Sequence, residues 1–460
     1  MGSADAAWLR MDRPENLMVI NAVMWFDERP DWDRLREVIR ERLVEPYPRF
    51  RQRAVGGAPV VGRPAWEDDP AFDLDLHLHR VALPAPGDDA ALQAFVADRM
   101  VVPLDRSRPL WEYHLIDGYR GGAAVLARIH HAIADGIALA RVMLSLTDAT
   151  PQDGGRTLTP PDPGHPHRGP LDAVLRPAAA ALGATRAAAG ALLHEGVEVV
   201  THPKHTIDLA AHARDDAQAL AKLVLAGSDA DTVLRGHAGI PERVAWSPPL
   251  DLPEIKDVAH DHGATVNDVL VAALTGALRD YLLARESLVD GIRVLVPFNL
   301  RGLDEPLPRD LGNRFGLVTL PLAVGLERPL ERLRAVMREM AKIKTSPEGV
   351  VSYAVLSTMG ATPQQVETAL VDLFSASGSA VVTNVPGPRE PVYLAGTQVA
   401  GVLVWAPVSG NMAMSVSIFS YAGTVRVGVM TDAGLIPDPE AIVAGFAAEL
   451  ERLAALPASA

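Results

Sequence analysis

Two adjacent histidines, an aspartate and a glycine stand together in His130-His131-Ala132-Ile133-Ala134-Asp135-Gly136. Imidazole takes and returns a proton near neutral pH because its unperturbed pKa is about 6.5, so one of the pair is a natural general base. The heptad ends the apolar run AAVLARI, which reads as a strand, and side chains alternate across a strand. Adjacent histidines therefore face opposite sides: at most one projects into a given cavity while the other packs or braces. Asp135 opens the following turn, and Gly136 gives room for close backbone approach. A plainer reading, two half-buried histidines beside an Asp-Gly turn, accounts for the His-His pair alone. The aspartate and glycine at this spacing after a strand favour chemistry.

Other chemistries lack their residues. His131 and Asp135 lie four apart and would share one helical face, but a zinc site needs further ligands, and none of His77-Leu78-His79, His165-Pro166-His167 or His202-Pro203-Lys204-His205 has a recognised metal spacing. No metal is expected. The chain has no cysteine, which removes disulfides and a thiol nucleophile, and no GxSxG elbow, GxGxxG turn or P-loop, so covalent serine catalysis, dinucleotide binding and ATP use have no sequence support.

The elements around the heptad follow from periodicity. Leu17 to Phe26 reads as a strand and Trp32 to Val44 as a helix capped by Asp31; a helix near Ala90 to Val101, strands at Leu110 to Ile116 and Ala123 to His130, and a helix from Gly136 to Leu146 complete a mixed α+β unit. Pro, Gly and Asp crowd positions 150–170, and Ala-rich helical stretches follow to about Gly227. The second half repeats the grammar. Strands are expected at Arg243 to Trp246, Ile292 to Phe298, Gly316 to Leu322, Ser379 to Asn384, Gln398 to Trp405, Met412 to Phe419 and Thr424 to Met430, with helices at Leu252 to His260, Thr265 to Ala284, Leu330 to Ile343 and Pro439 to Leu453. The expected division is 1–149, a linker with Ala-rich helices at 150–235, and 236–460. Ligand sites favour such domain interfaces.

At 460 residues, with 48% hydrophobic and 22% charged residues, the chain forms cores of two or three domains' size. Its 43 basic and 57 acidic residues leave a net charge of −14 and no basic run, so a nucleic-acid partner is not expected. The first thirty residues lack a secretory pattern, and no window reaches the roughly 18 uncharged apolar residues of a bilayer span, so a cytoplasmic protein is expected.

The heptad HHAIADG resembles the HHxxxDG motif of the CoA-dependent acyltransferase superfamily shared by chloramphenicol acetyltransferase and peptide-synthetase condensation domains. Pro109-Leu110-Trp111, Asn267-Asp268 within TVNDVLVAAL, VLVPFNLR ending at Arg301, Gly312-Asn313, and TNVPGPREPVYLAG from Thr383 narrow it: together they resemble the bacterial wax ester synthase/acyl-CoA:diacylglycerol acyltransferase family, from about Ala6 to Leu453. The resemblance implies two chloramphenicol-acetyltransferase-like α+β domains with an active-site tunnel at their interface. It makes His131 the general base, with His130 supporting, Asp135 bracing through an ion pair with Arg301, and Gly136 in the same loop. Asn267 becomes a candidate donor near the reacting oxygen or imidazole, whereas Asp268 reads more simply as a helix cap in Thr265-Val266-Asn267-Asp268.

The implied reaction moves a long-chain acyl group from acyl-CoA to diacylglycerol, with fatty alcohols as further acceptors. Acyl-CoA is then a substrate and no resident cofactor is expected. A CoA thioester is already activated, so direct attack needs a base, an oxyanion donor and alignment. Peripheral contact with the inner membrane face or lipid droplets is compatible with such an acceptor. Lys342, Lys344 and Arg243 are candidate partners for the CoA phosphates, a solvated helix face being the simpler explanation of each. Two other classes stay open: a relative acting on a soluble or carrier-bound acceptor, and a non-enzymatic acyl-CoA or lipid binder.

Overall fold

A computed structural model describes residues 1–56, 64–152, 227–300, 307–346, 348–359, 371 and 375–457. The first half runs α1 (Ser3–Met11), β1 (Val19–Phe26), α2 (Trp32–Ile39), β2 (Gln52–Val55), β3 (Ala65–Asp68), β4 (Leu78–Ala82), α3 (Asp89–Met100), β5 (Trp111–Tyr119), β6 (Gly122–His130) and α4 (Gly136–Ser145). The second half continues with β7 (Glu242–Trp246), β8 (Leu250–Asp251), α5 (Leu252–Asp261), α6 (Val266–Leu283), β9 (Ile292–Asn299), β10 (Phe315–Leu322), α7 (Pro329–Thr345) and α8 (Glu348–Met359). It closes with β11 (Ala380–Pro386), β12 (Tyr393–Leu394), β13 (Thr397–Gln398), β14 (Gly401–Trp405), β15 (Met414–Tyr421), β16 (Thr424–Asp432) and α9 (Pro439–Ala454). The expected Ala-rich stretches fall mostly outside the described residues.

Local chemistry explains where the helices begin. Asp31 accepts from the amides of Asp33 and Arg34, Asp88 from Ala91, and Asp251 from Glu254, each satisfying amides that a helix start leaves unpaired. Thr265 and Asp268 form a reciprocal capping box at the start of α6, which accounts for Asp268 as a structural residue.

Most strands form two large sheets; β2 with β3 and β12 with β13 make separate two-stranded ribbons. The first has the order β14-β1-β6-β5-β4; β1 and β6 at its centre are buried along their whole length. The second has the order β10-β9-β11-β15-β16-β7, with β11 parallel to both β9 and β15. The two halves of the chain do not keep to separate sheets. Strand β14 belongs to the C-terminal half, yet it pairs with β1, Ala22 facing Val404 and Met24 facing Val402. The single strand expected from Gln398 to Trp405 is broken for this reason. Thr397–Gln398 turns back on Tyr393–Leu394, and the pairing with β1 begins only at Gly401, where an added Cβ would lie 2.5 Å from the Trp25 ring that stands opposite.

Three indoles meet at the seam. Trp246 of β7 lies 6.0 Å from Trp25 of β1 and 6.2 Å from Trp405 of β14, ring centre to ring centre. Gly428 of β16 lets the second sheet close on Trp405: a Cβ there would come within 2.7 Å of the indole.

Candidate functional site

The heptad leaves β6 at its last residue. The His131 amide donates to the Met18 carbonyl at 2.7 Å, the Ile133 amide to the His130 carbonyl at 3.0 Å, and Ala134 forms a parallel bridge to Gly312. The partner segment is bent to fit, with Leu311 and Gly312 at φ 51 and 81, the left-handed region where glycine carries no steric cost. This sharp turn sets Asn313 against the His131 ring.

The hydrogen bonds of Asn313 determine the form of His131. The Asn313 Nδ2 group donates to Asp5 Oδ1 and to the His131 carbonyl, both at 2.8 Å, and the Asn313 amide donates to Asp5 Oδ1 at 3.1 Å. Those partners accept, so the carboxamide oxygen is left as the acceptor, 2.8 Å from His131 Nδ1. His131 therefore carries its proton on Nδ1, and the lone pair sits on Nε2, which has no partner among the described residues. Trp8 stacks on the ring at 4.0 Å and 19°, and Phe315 lies 5.3 Å away. Burial pushes the imidazole down to about 4, against the opposing pull of the Asn313 hydrogen bond, so the ring is neutral at physiological pH. Burial likewise pushes the Asp5 carboxyl up, the donors from Asn313 acting the other way.

Asp135 caps α4. One carboxylate oxygen accepts from the Ala138 amide at 2.8 Å and the other from the Arg314 amide at 2.9 Å, so this side chain ties the heptad to the start of β10. Arg301, the expected ion-pair partner, lies outside the described residues. Gly136 is exposed at the first turn of α4, and among the described residues a Cβ there would meet nothing within 4 Å beyond its own helix and chain neighbours.

His130 is buried away from the cavity that His131 lines. Its Nδ1 accepts from the Ala132 amide at 3.0 Å and its Nε2 sits 3.7 Å from Asp12 Oδ2, ion-pair range but longer than a hydrogen bond. Burial alone would raise the Asp12 carboxyl; His130, Arg106 and the Met18 amide outweigh it and hold it at about 2. Asn267 is placed elsewhere. Its Oδ1 accepts from Asn384 Nδ2 at 2.6 Å, and neither residue lines a cavity that His131 touches. Asn313 occupies the position beside the imidazole. Lys342 is ion-paired with Glu339 at 2.6 Å. Trp111 is core: its indole donates to the Phe50 carbonyl and stacks on His77.

Asp5 and Trp8 were not legible as site residues. They stand three apart on α1, hence on one helical face, but nothing in SADAAWLRM tells which partner that face meets.

Among the described residues two clefts, partly open to solvent, flank the first sheet, and their volumes include that open space. One, of about 580 Å³, is lined by His131, Trp8, Met18, Phe315 and Val381 among others. A second, of about 770 Å³, lies between the first sheet and α4, with β11 and β15 closing it.

The profile of the wax ester synthase/diacylglycerol acyltransferase catalytic domain matches residues 1–270, and that of the WS/DGAT C-terminal domain matches residues 311–454. The chain belongs to the wax ester synthase/diacylglycerol acyltransferase family. Among relatives of this WS/DGAT protein, "Probable diacyglycerol O-acyltransferase tgs1" of Mycobacterium tuberculosis H37Rv is 29% identical, covering 98% of this chain and 95% of the relative. The wax ester synthase/diacylglycerol acyltransferase of Marinobacter aquaeolei VT8 shares the fold, with a TM-score of 0.68 and 21% identity over 98% of both chains. So does the first condensation domain of the calcium-dependent antibiotic synthetase, at TM-score 0.63 and 16% identity over 100% of this chain and 96% of that one. The α+β architecture of this WS/DGAT chain is thus shared with both of these solved proteins. Among its described residues no helix is long and apolar enough to cross a membrane, and no group of three His, Cys, Asp or Glu side chains could hold a metal ion.

Proposed function

We propose that this WS/DGAT protein transfers a long-chain acyl group from CoA to the free hydroxyl of diacylglycerol, giving triacylglycerol, and accepts fatty alcohols as a second class. The observation that carries the reading is a neutral His131, its Nδ1 proton committed to Asn313, lining an apolar cleft that flanks the first sheet. Family membership supports the acyl-CoA donor and the hydroxyl acceptor.

The reaction then follows from what a positioned base can do. His131 Nε2 takes the hydroxyl proton as the acceptor oxygen attacks the thioester carbonyl. The Nδ1–H bond to Asn313 stabilises the imidazolium that forms, and the tetrahedral intermediate collapses with loss of the CoA thiolate, which takes the proton back from Nε2. An ester and free CoA are produced, with no acyl-protein intermediate. Asp135 holds the loop, His130 with Asp12 supports it from behind, and Asn267 with Asn384 positions β11. No resident cofactor enters the scheme. A lipid acceptor calls for peripheral contact with the surface that delivers it, a membrane face or a lipid droplet.

The test offers purified protein a labelled hexadecanoyl-CoA with diacylglycerol, hexadecanol or water in parallel. Triacylglycerol and CoA should appear in equal amounts, and His131→Ala should lower kcat by about 10²–10⁴-fold with the fold retained. A burst of CoA that leaves acylated protein without any acceptor overturns direct transfer. Turnover only with a soluble or carrier-bound hydroxyl or amine overturns the lipid acceptor. Equal, negligible rates for wild type and His131→Ala would mark a lipid binder instead.

A further inference from the structure

Attack on a thioester turns its carbonyl oxygen into an oxyanion, and a donor fixed where that charge develops is worth about 10²–10³ in kcat. The donor expected from the sequence is elsewhere, since Asn267 faces Asn384. Asn313 is committed too: its Nδ2 group donates to Asp5 and to the His131 carbonyl. Thr383, two residues beyond Val381 on β11, turns its hydroxyl to the Val416 carbonyl at 3.3 Å. Among the described residues that line the His131 cleft, three side chains carry nitrogen or oxygen: His131 itself, Trp8 and Ser409.

Ser409 stands on the loop that follows β14. Counting on from the pair of Trp405 with Asn21, Val408 comes level with Met18, and the His131 amide is bonded to Met18 from the other side. At a strand spacing of about 4.8 Å, the two loops face each other roughly 10 Å apart across Met18. The loop is pinned. The Ser409 carbonyl accepts from the Met412 amide at 3.4 Å, the Asn411 carbonyl from the Gly236 amide at 3.2 Å, and Met412 bridges Arg235. Gly410 sits at φ 60, where an added Cβ would run into the Ser375 hydroxyl, so glycine lets the turn close behind Ser409. A hydroxyl on so constrained a backbone is placed before the substrate arrives. Trp8 is the rival donor. Its indole stacks on the imidazole at 4.0 Å and 19°, so its N–H runs in an offset, nearly parallel plane and does not aim at an atom in front of Nε2.

Resting on the acyl transfer proposed above, we infer that Ser409 is the oxyanion donor, its hydroxyl donating to the thioester carbonyl oxygen as the acceptor oxygen bonds to the carbonyl carbon. The π pair moves onto the carbonyl oxygen while His131 Nε2 holds the acceptor's proton. Collapse re-forms the carbonyl, breaks the C–S bond and returns that proton to the thiolate sulfur. Ser409 keeps its own proton throughout, and no acyl-serine forms. Because the bond strengthens with the developing charge, it lowers the barrier and leaves thioester binding nearly unchanged.

The experiment measures kcat and KM for hexadecanoyl-CoA with diacylglycerol as the fixed acceptor, in wild type, Ser409→Ala, Ser409→Thr and Trp8→Phe. Ser409→Ala should lower kcat about 10²-fold with KM for the thioester within about twofold of wild type. Its pH profile should keep the acidic limb of wild type, because the base is untouched. Ser409→Thr retains a hydroxyl and should keep at least about a tenth of the wild-type kcat. A Ser409→Ala variant as fast as wild type, a loss seen in KM alone, or a kcat loss confined to Trp8→Phe overturns the assignment. So does a fall in Ser409→Thr as deep as that in Ser409→Ala, which would mark the shape of the loop in place of its hydroxyl. A wild type that releases no CoA from hexadecanoyl-CoA with either diacylglycerol or hexadecanol would instead refute the acyl transfer itself.

Discussion

His131 donates its only proton to Asn313, and this single bond makes the ring a base at Nε2. Burial holds the imidazole near 4. The neutral, active form therefore persists well below the usual 6.5, and kcat/KM should fall only as pH drops through about 4; a pH profile with its acidic limb near 6.5 would contradict the buried site. The same shift acts on stability. Between 6.5 and 4 the unfolded chain binds a proton that the native ring refuses, so stability from this group is full above 6.5 and declines by roughly 3 kcal/mol as pH falls to 4. Asn313→Ala frees the tautomer and should lower kcat by about 10²-fold, with little change in KM for acyl-CoA. Asp5→Asn keeps an oxygen that can accept from Asn313 and should retain most activity, whereas Asp5→Ala should not; steady-state kinetics on the pair separates orientation from mere folding.

At the scale of elements, the strand–turn–helix carrying the heptad was legible because its signals are local. The apolar run ends at His130, and an aspartate stands where a helix start needs an acceptor. Asp135 does two jobs there, for Ala138 and for Arg314. Asp135→Ala should cost about 2–4 kcal/mol, a lost cap plus a stranded amide, and Asp135→Asn about half as much, since one of its two acceptor atoms becomes a donor; urea unfolding measures both. Full activity and stability in Asp135→Asn would remove the bracing role. The short elements escaped notice: α1, the hairpin of β2 and β3, β4, and α8 are too brief or too even in hydrophobicity for periodicity to separate them from loops.

Across the whole molecule, β14 joins the halves by completing the first sheet while continuing the chain into the second. The packing at that seam leaves no room behind Gly428, whose Cβ would meet Trp405 at 2.7 Å and Leu403 at 2.9 Å. Gly428→Val should therefore destabilise the protein by about 1–3 kcal/mol and widen the space between the sheets, lowering the melting temperature and long-chain turnover together. The same substitution at Gly423, where a Cβ meets nothing but the backbone sits at φ 82, tests strain without crowding.

The HHxxxDG heptad, the caps and most strands were set by the amino-acid order alone, because a strand's alternation, a cap's acceptor and a motif's spacing all act within a few residues. What met His131 was decided only in three dimensions. Asp5, Trp8 and Asn313 are up to 308 positions apart, and their meeting depends on α1 and the Leu311-Gly312 turn being packed against one ring. The crossing of β14 was equally hidden, since edge strands choose partners by register and by the room Gly401 leaves for Trp25, not by any local pattern.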